Sequence, residues 1–188
     1  MRAGRLVRRP VGLDGMAGAL IAIDDGLLAQ VASLGHALRA RGWRLATAES
    51  CTGGLLAGAC TAPAGASDWF AAGFVTYAND AKTGLLGVPD ALIARHGAVS
   101  AEVADAMARG ALAHGGVPLA LSVTGIAGPG GGSAAKPVGT VWLGLAWTGA
   151  AGVESRTERL SLDGDRAAIR SQTVDIALQR LLATARAA

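Results

Sequence analysis

Ser50 lies in the run Thr47-Ala48-Glu49-Ser50-Cys51-Thr52-Gly53-Gly54, where a strand-like segment gives way to an apolar helix-like one. A serine at a strand-to-helix turn holds its Oγ at the top of a sheet. The N–H groups of Cys51, Thr52 and Gly53 that follow it are then free and carry the positive end of the helix, the makings of an oxyanion hole. Gly53 and Gly54 let a substrate approach the backbone closely. The plainer reading of the same serine is a helix cap. A hydroxyl becomes a good nucleophile only when a base takes its proton, and no histidine falls at an expected strand end, which leaves Glu49, Lys82 and Tyr77. Glu49 points opposite Ser50 if the strand continues to it. Lys82 belongs to the next strand-helix unit, where burial and a helix N-terminus both lower an amine's affinity for protons, so it can act as a neutral base. As a solvated helix-end lysine it would do nothing. Tyr77, the only tyrosine, can relay a proton, orient the lysine, or simply sit in the core with its hydroxyl at the rim.

Other side chains invite a ligand. Arg166 follows Asp165 at the expected start of the last helix, where a cation opposes the helix dipole. A bound anion explains that placement, and so does pairing with Asp163 or Asp165; Arg170, one turn on, is a second anion candidate. Thr124, with Ser122 two positions earlier on one strand face, donates to a substrate or bonds within its own loop. Cys51 adjoins Ser50, but the next residue along points away and is expected to be buried, where a thiol is inert. His36, His96 and His114 are scattered, and Cys51 and Cys60 lack metal-type spacing, so no metal and no cofactor is expected.

The elements that must position these groups follow from periodicity and punctuation. Asp24 or Asp25 caps a helix with Leu27, Leu28, Val31, Leu34 and Leu38 on one face, ending near Arg41-Gly42. RLATA (44 to 48) reads as a strand and LLAGACTA (55 to 62) as a buried helix. GFVTYA (73 to 78) is a second strand. Helices are expected from Asn79, with Lys82 in the first turn, from Pro89 to about His96, and from Ser100 to the stop at His114-Gly115-Gly116. LALSVTG (119 to 125) is a central strand buried on both faces. The segment 125 to 139 holds six glycines and two prolines, too few side chains for a core and too many residues for a simple turn. TVWLGLAW (140 to 147) and VESRTERLSL (153 to 162) form a hairpin, and a closing helix runs from Arg166 to Ala183. The pattern implies an α/β fold, a three-layer α/β/α sandwich with a mostly parallel mixed sheet and one antiparallel hairpin. Ligands in such sheets sit beyond the strand carboxyl ends. Ser50, Tyr77 and Thr124 all fall there.

Composition narrows the partners. At 188 residues, 51% hydrophobic and 16% charged, the chain suits one domain that folds without staples, and no apolar run is long enough for a bilayer. Only 4% of residues are aromatic, which argues against stacking platforms for single-stranded nucleic acid. The net charge of +3 is matched by Arg2, Arg5, Arg8 and Arg9, so the rest is near neutral and no nucleic-acid partner is expected. Residues 1–23 read as a basic, disordered extension and 24–188 as the single domain; Met16 is an alternative start. Asp14, Asp24 and Asp25 spoil a signal peptide, and two free thiols suit a reducing compartment, so a cytoplasmic location is expected, without membrane association. A homo-oligomer stays open.

TAESCTGG (47 to 54), GFVTYANDAK (73 to 82), SVTGIAGPGGGS (122 to 133) and KPVGTVW (136 to 142) together resemble the CinA carboxy-terminal domain family, over about Asp24 to Leu182. The resemblance implies a nicotinamide-nucleotide amidase that converts nicotinamide mononucleotide to nicotinate mononucleotide and ammonia, in the stand-alone form without the family's additional amino-terminal domain. It implies a metal-free serine-lysine hydrolase in which Ser50 matches the nucleophile, Lys82 the base and Tyr77 its neighbour. Thr124 is placed near substrate, Arg166 becomes a candidate phosphate partner, and the loop from Gly125 to Ser133 walls the pocket. Two rivals remain: a nucleotide-binding or competence-associated module without turnover, and a serine amidase for another carboxamide.

Overall fold

The computed structural model describes residues 24–187; the basic extension of residues 1–23 lies outside the described residues. Helix α1 (Asp25–Ala40) begins at Asp24, whose carboxylate accepts from the Leu27 N–H, and buries Leu27, Val31, Leu34 and Leu38. It leads into β1 (Leu45–Glu49), every residue of which is buried. Then come α2 (Leu55–Thr61), the edge strand β2 (Phe70–Val75), α3 (Asn79–Leu86), α4 (Asp90–His96) and α5 (Ala101–Gly115). Strand β3 (Leu119–Gly125), the hairpin β4 (Thr140–Gly149) and β5 (Gly152–Ser161), and α6 (Arg166–Ala187) complete the chain.

The strands lie in the order β2-β1-β3-β4-β5. β1 runs parallel to both β2 and β3, and the β3–β4 and β4–β5 pairs are antiparallel. Four strands therefore point the same way and only β4 runs back. Alternation along β1 and β3 splits the core. Leu45, Leu119, Leu121 and Val123 face α1, α2 and α6, whereas Ala46, Ala48 and Ala120 face α3, α4 and α5. The second face is alanine-lined because α5 rides close on the sheet: a Cβ at Gly144 would run into the Ala104 carbonyl oxygen. Ser122, on that face, donates to the same carbonyl at 2.6 Å.

The α/β sandwich has the expected order of elements, with two differences of extent. Strand β2 covers Phe70–Val75 rather than 73 to 78, which puts Tyr77 in the connection to α3. The closing helix continues past Ala183 to Ala187, because Thr184 and Ala185 still bury against the core. Helix α2 starts at Leu55 as expected, because Gly53 (φ +61°) and Gly54 (φ +93°) are left-handed and cannot belong to a right-handed helix. Among the described residues no helix is long and apolar enough to cross a membrane.

Candidate active site

The carboxyl ends of β2, β1 and β3 lie side by side, and the turn after β1 carries the half-buried Ser50. Its N–H donates to the Val123 carbonyl at 2.9 Å, which ties the turn to β3. Lys82, on α3, has its side chain directed back toward the start of its helix, as helical Cα–Cβ bonds dictate. Its Nζ stands 3.2 Å from Ser50 Oγ, 32 residues away in sequence. The same Nζ donates to the carbonyls of Thr76 at 2.9 Å, Tyr77 at 3.3 Å and Ala78 at 3.5 Å. The lysine is 1% exposed. Burial pushes its pKa down by penalising the ammonium. A neutral amine has two N–H groups and one lone pair. With the two nearest carbonyls taking the hydrogens, the lone pair is left for the Ser50 hydroxyl.

Glu49 takes no part in that pair. Its side chain faces the opposite side of β1, wholly buried, and its carboxylate accepts from the N–H groups of Gly54, Leu56 and Ala57 at 3.0, 3.0 and 2.8 Å. This changes the picture of the N–H groups near the serine. The start of the seven-residue α2 is occupied by Glu49, and the Gly53 N–H donates to the Ser50 carbonyl at 3.1 Å. Of the three N–H groups read from sequence, those of Cys51 and Thr52 are left with no protein acceptor among the described residues. Their availability comes from the turn geometry, not from a helix dipole. The Cys51 thiol is buried and pushed up to about 11, chiefly by desolvation, so it stays protonated near neutral pH.

Arg166 reaches across from α6. Its guanidinium donates to the Gly128 carbonyl at 3.0 Å and to the Tyr77 hydroxyl at 3.1 Å, joining the glycine-rich loop to the β2–α3 connection. It pairs with neither Asp163 nor Asp165; Asp165 instead caps α6 through the Ala168 N–H at 2.8 Å. Tyr77 is 61% exposed. Its main-chain carbonyl touches the lysine while its phenol touches Arg166. Arg170, one turn into α6, donates to the Thr52 carbonyl at 2.8 Å and so braces the turn that carries the two open N–H groups. Its Nε and the Thr52 hydroxyl are buried without partners. Thr124 is 1% exposed and donates to the Ala98 carbonyl at 2.7 Å, so its hydroxyl proton is engaged within the fold. Gly125 sits where a Cβ would come within 2.7 Å of Val141.

Thus Ser50, Lys82, the Tyr77 carbonyl, Cys51 and Thr52 gather at one rim, with Arg166 and Arg170 beside them. Glu49 as a cap and Arg170 as a brace are roles that sequence reading did not assign. A glutamate followed by a double glycine is the trace of the first; the second leaves none, being a contact over 118 residues.

A model of the CinA C-terminal domain matches residues 28–185. The protein named nicotinamide-nucleotide amidohydrolase PncC in Pseudomonas putida is 52% identical over 158 residues, 84% of this chain and 96% of that protein. The protein of the same name from Escherichia coli (strain K12) is 48% identical over 158 residues, 84% of this chain and 94% of that one. Among solved structures, the competence/damage inducible protein CihA from Agrobacterium tumefaciens superposes with a TM-score of 0.80 at 43% identity, covering 85% of this chain and 96% of its own. The competence damage-inducible protein A from Klebsiella pneumoniae gives 0.81 at 38% identity, covering 86% and 98%.

Proposed function

The chain belongs to the CinA C-terminal domain family, and from that premise we propose that it hydrolyses the carboxamide of nicotinamide mononucleotide, with Ser50 as nucleophile and Lys82 as its base. The observation that carries this reading is the 3.2 Å approach of Lys82 Nζ to Ser50 Oγ inside a buried pocket of carbonyls. Burial lowers the affinity of an amine in that setting for its proton, so a larger fraction of it is free base than in an exposed lysine.

The neutral amine takes the Ser50 proton as Oγ attacks the carboxamide carbon. The oxyanion that forms lies toward the Cys51 and Thr52 N–H groups, each worth about 10²- to 10³-fold in rate if placed as oxyanion donors usually are. Lys82, now an ammonium held by the three carbonyls, returns its proton to the departing nitrogen and ammonia leaves. Water then attacks the acyl-serine, giving up its proton to Lys82, which passes it to Ser50 Oγ as the acyl–oxygen bond breaks, so that both groups are regenerated with nicotinate mononucleotide as product. Overall one water is consumed and one C–N bond is replaced by a C–O bond.

Arg166 supplies a guanidinium with no carboxylate partner among the described residues, suited to the substrate phosphate. The Gly125–Ser133 loop, which it touches at Gly128, forms the adjacent wall. Thr124 contributes by fixing the 96–100 connection rather than by donating to substrate. The two cysteines are free thiols, both buried, which fits a reaction run in the reducing cytoplasm.

Ammonia release measured with nicotinamide mononucleotide, free nicotinamide and unrelated amides tests the reading. Turnover confined to the nucleotide is expected. Binding without any ammonia would leave a nucleotide-binding module, and turnover of another amide alone would leave a serine amidase of different specificity.

A further inference from the structure

A second cleft, of about 380 Å³, opens on the same rim two strands away from Ser50, where β4 and β5 pass beneath the start of α5. Three of its lining side chains, Lys136, Thr140 and Trp142, come from the KPVGTVW run, which the amidase chemistry leaves without a role. Strand alternation aims two of them inward. Val141, Leu143 and Leu145 are buried in the core beside α1 and α6, so Thr140 and Trp142 face the α5 side. Arg159 stands opposite Trp142 in the β4–β5 register and shares that face. Lys136 enters from the glycine-rich loop, its Nζ donating to the His96 carbonyl at 2.9 Å and keeping hydrogens to spare.

The 15-residue α5 closes the cleft with its first turn. Ser100 caps the Val103 N–H, which leaves those of Ala101 and Glu102 without helical partners at the positive end of the helix. Lys136 and Arg159 outnumber the one carboxylate, Glu102, which is already 3.2 Å from His96 Nδ1. No ion pair engages Arg159 among the described residues. Thr140 is the second, independent sign: it is 2% exposed, yet its hydroxyl meets no hydrogen-bond partner. Buried hydroxyls are usually satisfied, and Thr140 is one of the few described side chains, with those of Thr52 and Thr76, whose hydroxyl is not.

We propose that this cleft is a second binding site, for a mononucleotide, with the phosphate held by Lys136, Arg159 and the α5 N–H groups, and the base lying on the Trp142 indole. Thr140 and the buried start of β4 form the floor beneath the phosphate. The cleft carries no serine-lysine pair, and the Ser100 hydroxyl is engaged with the Gly97 carbonyl at 2.9 Å, so the site binds without chemistry. It stands independently of the amidase reading.

Calorimetric titration of the full chain with adenosine monophosphate, which has no carboxamide to cleave, tests the site; inorganic phosphate is the second arm. Saturable binding is expected to persist in the Arg166→Ala protein, which lacks the phosphate contact at the Ser50 rim, and to weaken there about tenfold or more when Arg159→Ala or Lys136→Met is added, with phosphate alone at least about tenfold weaker. Absence of saturable binding at millimolar nucleotide overturns the proposal. So does binding that Arg166→Ala abolishes and Arg159→Ala spares, which assigns it to the rim at Ser50. Equal affinity for phosphate alone removes the Trp142 contact and with it the nucleotide assignment.

Discussion

Lys82 Nζ and Ser50 Oγ are 3.2 Å apart, and the amine's other neighbours within hydrogen-bonding reach are main-chain carbonyls of residues 76 to 78. Among the described residues no carboxylate compensates the ammonium, so the site tolerates its charge through those dipoles. That arrangement makes the lysine a base and makes the predictions below specific.

Ser50→Ala and Lys82→Met are each expected to lower kcat by about 10³-fold, and the double variant to be scarcely worse than either, because the two groups act as a unit. Single-turnover ammonia release reads this directly. Strictly additive losses would mean that the lysine works elsewhere.

Activity should rise with pH and level off at a midpoint below 10.5, the ordinary lysine value, because burial lowers the Lys82 pKa. The same shift acts on stability. The unfolded chain binds this proton more tightly than the folded one, so unfolding free energy increases with pH between the lowered value and 10.5. Below that interval the buried ammonium is a constant penalty. Lys82→Met should therefore melt no lower than the parent at neutral pH and lack this alkaline gain. Thermal melts of both proteins across pH provide the comparison, and parallel curves would contradict it.

Glu49→Gln keeps the shape of the side chain but offers one acceptor where the carboxylate offers two to the Gly54, Leu56 and Ala57 N–H groups. A loss of about 2 kcal/mol is expected, from weakened charge-assisted bonds and a donor turned toward donors. For a chain of this length that corresponds to roughly 4–8 °C in Tm. An unchanged Tm would show that the α2 start is satisfied some other way.

Arg166 and Arg170, on the first two turns of α6, should separate kinetically. Arg166→Ala is expected to raise KM for nicotinamide mononucleotide about tenfold or more with little change in kcat, and to spare the riboside, which has no phosphate. Arg170→Met should instead depress kcat about tenfold, since it releases the Thr52 carbonyl and loosens the turn bearing the two open N–H groups. If both variants moved KM alone, Arg170 would belong with the phosphate contacts.

Much of this molecule was written in short-range pattern. The Asp24 and Ser100 caps, the glycine stops, the both-faces-buried β3 and the alternating β5 are local matters of backbone donors and side-chain period, and they place Ser50, Lys82 and the glycine loop on one rim. Family motifs in the same segments pointed to the same chemistry. Tertiary structure alone decided which backbone N–H groups stay open, because that depends on Glu49 turning inward and on two left-handed glycines delaying α2. It alone set the lysine's proton affinity, which depends on how completely water is excluded, and it alone joined Arg166 to Tyr77 across 89 residues. Such properties arise from what is packed against a group, and residues distant in the chain supply that packing.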